Sequence, residues 1–161
     1  MRYNVLFLCT ANSARSIMAE ALLNSLGGAR LRAYSAGSHA SGRVNPLAID
    51  ALQRHGYRAD GLRSKSWNEF TGDRAPSIDF VITVCDNAAA EVCPVFPGRP
   101  VAAHWGVPDP AAVEGTSDEK RAAFSAALTV LRRRVQQLTS LPFDSVDKIA
   151  LRSALREIGQ R

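Results

Sequence analysis

Four short apolar runs, separated by helical patterns, limit the folds that this chain can adopt. The runs cover residues 5–8, 31–35, 80–84 and 101–104, and each has the length of a strand. Because they are largely apolar throughout rather than alternating, the strands are expected to be buried on both faces, as in a parallel sheet covered by helices. The sequence therefore predicts an α/β three-layer sandwich with a four-stranded parallel sheet of the flavodoxin-like type and a C-terminal helical extension.

Capping signals predict the helix boundaries. Asn45 before Pro46 is typical of a helix N-terminus. Two Ser/Thr-x-x-Glu sequences predict capping boxes, one at Ser66 before a short helical segment and one at Thr116 before a long helix. The longer predicted helices span residues 16–26, 45–55, 116–138 and about 144–159.

Length and composition indicate an ordinary globular protein. A chain of 161 residues can bury one core, so we expect a single domain over residues 1–161, with a core over about 1–140 and a last helix at about 144–159. No apolar run approaches the roughly 18 residues of a membrane span, and residues 5–9 are too short for a signal peptide. We expect a cytoplasmic monomer that does not bind membranes. Its three cysteines are then better explained by catalysis or redox chemistry than by structural disulfides.

The net charge of +5 raises the question of nucleic-acid binding. Much of the excess lies toward the C-terminus, including Arg132–Arg134, but adjacent arginines on a helix point in different directions. No recognition-helix, zinc or aromatic-platform motif accompanies them. We therefore interpret this region as a solvated basic face and expect no nucleic-acid partner, although a positive field also attracts an anionic substrate.

The segment from Cys9 to Ser16 has the pattern of a strand end, a loop and a helix start. Such a loop directs backbone N–H groups and a helix N-terminus at one point, which suits a tetrahedral oxyanion and lowers the pKa of a cysteine placed there. Asn12 tolerates a left-handed conformation, Arg15 offers a planar fork to two oxygens, and the Ser16 hydroxyl can donate to the thiolate. The predicted oxyanion-binding residues are Thr10, Ala11, Asn12, Ser13, Ala14, Arg15 and Ser16.

The Cys-x5-Arg spacing is weak by itself, because a buried cysteine followed by a surface arginine has the same spacing. A nucleotide-binding P-loop is excluded, since the chain has no G-x-x-x-x-G-K-[ST] sequence. Further reactive side chains, Cys85 and the segment 104–109, also follow directly after predicted strands. Parallel sheets bind ligands beyond the carboxyl ends of their strands, so we expect these residues on the same rim as Cys9.

Residues 9–16, followed by Met18-Ala19-Glu20, resemble the signature of the low-molecular-weight tyrosine phosphatase family and of the arsenate reductases built on its fold. Ser35-Ala36-Gly37 and Asp109-Pro110 resemble the family's later landmarks, and the resemblance covers residues 4 to about 138. It implies that Cys9 is the nucleophile, that Arg15 and the loop amides hold the oxyanion, and that Asp109 is the general acid. An acid is needed because the leaving oxygen must be protonated. Without the resemblance, a turn-forming Asp-Pro would be an equal explanation.

Two more cysteines decide between the branches of this family. In the thiol-coupled arsenate reductases, a second and a third cysteine occupy the segment that here contains Cys85 and Cys93. The resemblance implies that Cys85 attacks a Cys9–arsenate adduct, and that Cys93 then moves the disulfide to an accessible segment. We expect residues 86–91 to have weak tertiary anchors and to rearrange during this step. The alternative is that both cysteines are small buried hydrophobic residues.

Other positions agree with the reductase branch. The phosphatases carry a cysteine where this chain has Ala14, and aromatic residues where Ala111-Ala112 follow Asp-Pro. Without that platform a site loses apolar binding to an aryl group but still holds a small oxyanion. His104-Trp105-Gly106 also resembles the reductase pattern, and we interpret His104 and Trp105 as packing residues that support the acid loop.

Some members of this family bind a potassium ion through groups that correspond to Asn12, Glu20 and Ser35. Lys65 lies near the position expected for the acidic ligand, and its ammonium group is expected to replace the cation, so no metal is predicted. The family usually has glycine at the position of Ala11.

The sequence therefore predicts an arsenate reductase with no bound cofactor. Its partners would be arsenate, phosphate or sulfate as competing anions, and an external thiol reductant, with thioredoxin favoured over glutaredoxin or glutathione. The first alternative is a low-molecular-weight phosphatase that acts on a phosphoprotein or small phosphate ester. The second is a non-enzymatic oxyanion or redox sensor that uses the same loop.

Overall fold

A computed structural model describes residues 2–91 and 94–161, so Cys93 lies outside the described residues. Four parallel strands form one sheet in the order β2-β1-β3-β4. The strands are β1 (Tyr3–Cys9), β2 (Leu31–Gly37), β3 (Phe80–Thr83) and β4 (Val101–His104). The predicted four-stranded parallel α/β fold is confirmed.

Five α-helices are described, with a 3-10 helix at Trp67–Phe70 and another at Pro110–Ala112. The main core, on one face of the sheet, is formed by inward residues of β1 and β3 together with the longer helices. On the opposite face, Leu6 and Leu8 of β1 pack with Phe70 and Phe96. The helices are α1 (Arg15–Leu26), α2 (Pro46–Arg54), α3 (Asp86–Ala90), α4 (Ser117–Thr139) and α5 (Lys148–Gly159).

Two of the predicted helix starts are found with their caps. The Asn45 side chain accepts a hydrogen bond from the Leu47 backbone N–H at 2.9 Å. Thr116 and Glu119 form the predicted capping box in full. The box predicted at Ser66 is wrong, because the Ser66 hydroxyl accepts from Asn68 and the Glu69 carboxylate is bound by Arg63 instead of the helix start.

The last helix begins later than predicted, at Lys148 rather than near Asp144. Phe143 is buried against Tyr3 and Phe80. The residues between Phe143 and the start of the helix form turns. Asp147 then caps the helix by accepting from the Ala150 N–H at 2.8 Å. None of the helices in the described parts of the chain is long and apolar enough to cross a membrane.

Helices α4 and α5 support the segment after β4. The Trp105 ring is fully buried, and its indole N–H donates to the Leu155 carbonyl at 2.9 Å. Gly159 lies so close to the His104 carbonyl that a Cβ atom there would clash. The interpretation of residues 132–134 as a solvated face is wrong at Arg134, which is buried and donates to the Gly106 carbonyl at 3.1 Å.

Candidate active site

The carbonyl groups of the loop after β1 accept hydrogen bonds that hold the loop in place. The backbone N–H groups of His39, Ser41 and Asn45 donate to the carbonyls of residues 10, 11 and 13 at 2.8–3.0 Å. Among the described residues, none accepts a hydrogen bond from the backbone N–H groups of residues 11–14. The start of α1 likewise has no side-chain cap from the described residues. The loop therefore presents free N–H donors, which is the arrangement that binds an oxyanion.

Asn12 fixes the shape of this loop. Its φ of 48° is left-handed, as the sequence predicts, whereas Ala11 does not need a positive φ. The buried Asn12 side chain donates to the Ser16 hydroxyl oxygen at 2.8 Å and accepts from the Lys65 backbone N–H at 2.9 Å. Ser16 thus contacts Asn12, a partner that the sequence did not indicate. Gly37 is required beneath the loop, because a Cβ there would clash with the Thr10 carbonyl.

The thiols of Cys9 and Cys85 lie together at the carboxyl ends of β1 and β3. Cys9 is 6% exposed and Cys85 is 3% exposed. Both thiols border the same small cavity, and the Thr10 hydroxyl lies 3.7 Å from the Cys85 sulfur. The structure therefore brings together two of the three cysteines predicted to act in sequence.

The interaction between the two thiols shifts their pKa values in opposite directions. The contact with Cys9 lowers the pKa of Cys85 to about 5, against the opposing effect of burial, and the backbone N–H groups of Ala88 and Thr10 lower it further. The interaction with Cys85 and burial raise the pKa of Cys9, although the Arg15 guanidinium acts to lower it, so the prediction of a lowered pKa for this thiol is wrong. At neutral pH the pair therefore holds one proton and one negative charge.

Arg15 and Asp109 border the same cavity as the two thiols. One Arg15 nitrogen donates to the Val107 carbonyl at 2.8 Å, and another lies 3.8 Å from the Asp109 carboxylate. Asp109 is partly exposed and accepts from the Ala111 N–H at 3.0 Å, so it also starts the short 3-10 helix. Asp109 therefore lies at the site, as predicted, and it also has the turn-forming role that was the alternative explanation.

The cavity is small and has no aromatic wall among the described residues. Its volume is about 200 Å³, and it is bounded by the loop, both thiols, Arg15, Asp109 and Ala111. Ala111 stands where a stacking aromatic would be needed to bind an aryl phosphate. A wider cleft of about 570 Å³ adjoins it, lined also by Asp86, Asn87 and residues 106–108.

Residues 86–91 are anchored at both ends, contrary to the expectation of weak anchors. At one end, His104 Nε2 lies 2.8 Å from Asp86 Oδ1. At the other end, the Thr10 hydroxyl donates to Glu91 Oε1 at 3.1 Å, and His39 lies 3.8 Å from the same carboxylate. Sequence reasoning missed Glu91, because no local pattern links it to a residue 81 positions away.

His104 also differs from the packing role expected for it. Its side chain is partly exposed, and its ring bonds Thr83 and Asp86 rather than filling space beneath the acid loop. Trp105, in contrast, is a packing residue of the core.

Lys65 occupies the position between Glu20 and Ser35. Its Nζ lies 3.5 Å from Glu20 Oε1, 3.4 Å from the Ser35 hydroxyl and 3.0 Å from the Arg63 carbonyl. Burial lowers the pKa of Lys65, while Glu20 opposes that effect. Because an ammonium group already stands among these oxygens, the residues do not fit a potassium ion here.

Comparison with known proteins gives a consistent result. The family described as low molecular weight phosphotyrosine protein phosphatase matches residues 4–150. An arsenate reductase of Halalkalibacterium halodurans is 38% identical over 132 residues, which are 82% of this chain and 91% of the relative.

Solved structures agree with the sequence match. An arsenate reductase from Archaeoglobus fulgidus superposes with a TM-score of 0.67 at 28% identity, over 85% of this chain and 99% of that one. A thioredoxin-dependent arsenate reductase of Corynebacterium glutamicum gives a TM-score of 0.56 at 28% identity, over 84% of this chain and 62% of that one.

Proposed function

This chain belongs to the low molecular weight phosphotyrosine protein phosphatase family, and we propose that, within this family, it is an arsenate reductase. The observation that carries the proposal is that the thiols of Cys9 and Cys85 border one small cavity together with an oxyanion-binding loop. Hydrolysis of a phosphate ester needs one nucleophile and one acid. A second thiol beside the nucleophile supports reduction, because it can replace arsenic on the Cys9 sulfur by forming a disulfide.

In the first step, the Cys9 thiolate attacks the arsenic of arsenate. A sulfur–arsenic bond forms, and one oxygen leaves as water after Asp109 supplies a proton. The Cys9–Cys85 pair carries one negative charge at neutral pH, so transfer of the shared proton to Cys85 leaves the charge on Cys9. Arg15 and the free N–H groups of the loop stabilise the charge on the oxygens.

In the second step, Cys85 gives up the proton that it took in the first step to an oxygen of the bound arsenic, and the resulting Cys85 thiolate attacks the Cys9 sulfur. A disulfide forms, the sulfur–arsenic bond breaks, and its electron pair reduces arsenic(V) to arsenic(III), which leaves as arsenite. Cys93 then attacks Cys85, so that Cys9 is released as a thiolate and the disulfide joins Cys85 and Cys93. An external dithiol returns both cysteines to the reduced form.

For the external reductant we favour thioredoxin, with glutaredoxin or glutathione as alternatives. Support for thioredoxin comes from the Corynebacterium glutamicum structure, whose protein is named as thioredoxin-dependent. The relay needs a reducing compartment, for which we propose the cytoplasm. All the proposed side chains come from one chain, so a monomer is sufficient for the reaction.

The test is arsenate turnover by the purified protein with thioredoxin and glutaredoxin systems compared side by side. We expect arsenite to form and the Cys85→Ser variant to lose multiple turnover. Turnover that survives Cys85→Ser would refute the relay. Fast hydrolysis of an aryl phosphate that is indifferent to both Cys85 and Cys93 would instead favour the phosphatase. Oxyanion binding without any turnover would favour the sensor.

A further inference from the structure

One imidazole ring holds the chain on both sides of Cys85. His104 Nδ1 lies 2.7 Å from the Thr83 hydroxyl, and His104 Nε2 lies 2.8 Å from Asp86 Oδ1. Thr83 is two residues before Cys85, and Asp86 is the residue directly after it. His104 therefore bridges the end of β3 and the start of α3, with Cys85 between the two points of contact.

The backbone of His104 is itself fixed. His104 pairs with Thr83 in the parallel register of β3 and β4, and the Trp105 N–H donates to the Thr83 carbonyl at 2.7 Å. From the other side, Gly159 of α5 packs directly against the His104 carbonyl. The ring is thus held at both nitrogens and at its backbone, so that its position determines where residues 83–86 lie.

The bridge persists in either charge state of the ring. In the neutral ring, Nε2–H donates to the Asp86 carboxylate while Nδ1 accepts from the Thr83 hydroxyl. In the protonated ring, both nitrogens donate, and the hydroxyl and the carboxylate are both acceptors. The bridge is therefore a fixed connection rather than a switch.

This contact contributes geometry more than stability. The Asp86 side chain is 92% exposed and that of His104 is 38% exposed. Exposed pairs of this kind add little to the free energy of unfolding. The bridge nevertheless fixes the segment that carries the Cys85 thiol into the cavity that it shares with Cys9.

We propose that His104 is a positioning residue for Cys85, and that Thr83 and Asp86 are the two points through which it acts. The proposal rests on the proposed relay, and it assigns His104 to the second step, in which the Cys85 sulfur is the nucleophile. An attacking sulfur held against its target reacts as an intramolecular nucleophile, and small misplacements of such a group are costly in rate. Cys9, Arg15 and the loop lie outside the bridge, so oxyanion binding should not depend on it.

The test uses full-length protein in which Cys93→Ser stops the reaction at the first disulfide. Reduced protein is mixed with excess arsenate and quenched in acid, and the Cys9–Cys85 disulfide is measured by mass spectrometry against time. We expect His104→Phe and Asp86→Ala to slow its formation about tenfold or more. His104→Gln, whose amide reaches Asp86, should recover most of the lost rate. His55→Phe, at an exposed histidine after α2, is the matched control.

Phosphate binding, measured by calorimetry, separates positioning from general damage. We expect the dissociation constant for phosphate to stay within about twofold of the parent in both variants, since no group on the loop is altered. Asp86→Ala changes an exposed side chain, so it tests the proposal even if His104→Phe unfolds the end of β4. Disulfide formation at the parental rate in Asp86→Ala and His104→Phe would overturn the proposal.

A parent that forms no disulfide with arsenate would refute the relay rather than the bridge. The same variants are then compared with diamide, an azo oxidant that converts two neighbouring thiols to a disulfide and is itself reduced to the hydrazine. The bridge predicts the same slowing of Cys9–Cys85 formation with diamide. Equal rates in the parent and both variants would show that His104 does not position Cys85.

Discussion

The buried thiols of Cys9 and Cys85 border the same cavity at the carboxyl ends of β1 and β3. The attacking and the attacked residues of the proposed second step therefore lie at one site in the reduced protein.

The interaction between these two thiols predicts a thiolate at unusually low pH. Because the pKa of Cys85 is lowered to about 5, the Cys93→Ser protein should carry one thiolate at neutral pH and lose it on acidification through about pH 5. Absorbance near the thiolate band measures this titration. In Cys9→Ser the main cause of the lowered pKa is weakened, so the thiolate should form at a higher pH. A protein without thiolate absorbance below pH 8 would contradict the lowered pKa of Cys85.

Arg15→Lys should weaken oxyanion binding although it keeps the positive charge. Lysine cannot donate in parallel to two oxygens, and loss of a charged hydrogen bond costs about 2 kcal/mol, or more than tenfold in affinity. Calorimetry with phosphate measures the change, and Arg152→Lys, at an exposed arginine of α5, is the control. Unchanged affinity in Arg15→Lys would mean that the guanidinium does not bind the oxyanion as a fork.

Lys65→Met should destabilise the protein, because it leaves the largely buried Glu20 carboxylate without its cation. Breaking such a pair costs about 3 kcal/mol, which denaturant unfolding at neutral pH can resolve. The double variant Glu20→Gln/Lys65→Met should recover much of the loss, since it removes both charges.

Arsenate turnover by the unmodified protein should be equal in potassium and sodium buffers. A clear requirement for potassium would contradict the assignment of Lys65 as the resident cation.

Glu91→Ala should loosen the far end of the segment 86–91. The substitution removes the acceptor of the Thr10 hydroxyl, and a hydrogen bond contributes about 1 kcal/mol. Amide hydrogen exchange in residues 86–91 should then accelerate about fivefold. Glu114→Ala, at an exposed glutamate outside the site, provides the comparison. If both variants exchange at the parental rate, the Glu91 contact does not hold the segment.

The parts of the site that sequence reasoning could locate are those set by local pattern. The strand end at Cys9, the left-handed Asn12 and the helix that starts at Arg15 follow from neighbouring residues, and all are present. Cys85 follows directly after a predicted strand of a parallel sheet, and this predicted that it lies on the same rim as Cys9. These predictions needed no knowledge of which side chains meet across the fold.

The remaining contacts join residues that are distant in the chain. Asp86 and His104 are 18 positions apart, and Thr10 and Glu91 are 81 positions apart. Nothing in the composition of residues 86–91 reveals that these side chains have partners, so the segment was expected to be weakly anchored. Arg134 was assigned to the surface for the same reason, since only the packing of α4 beneath Gly106 buries it.

The central claim is that arsenate is reduced by electrons from the cysteines of this chain. Reduced protein should be mixed with one equivalent of arsenate in the absence of any external thiol, and then mapped by mass spectrometry while released arsenite is quantified. We predict one arsenite per chain, a disulfide between Cys85 and Cys93, and a free Cys9 thiol. Recovery of all three cysteines as thiols, with the arsenate unchanged, would contradict the account.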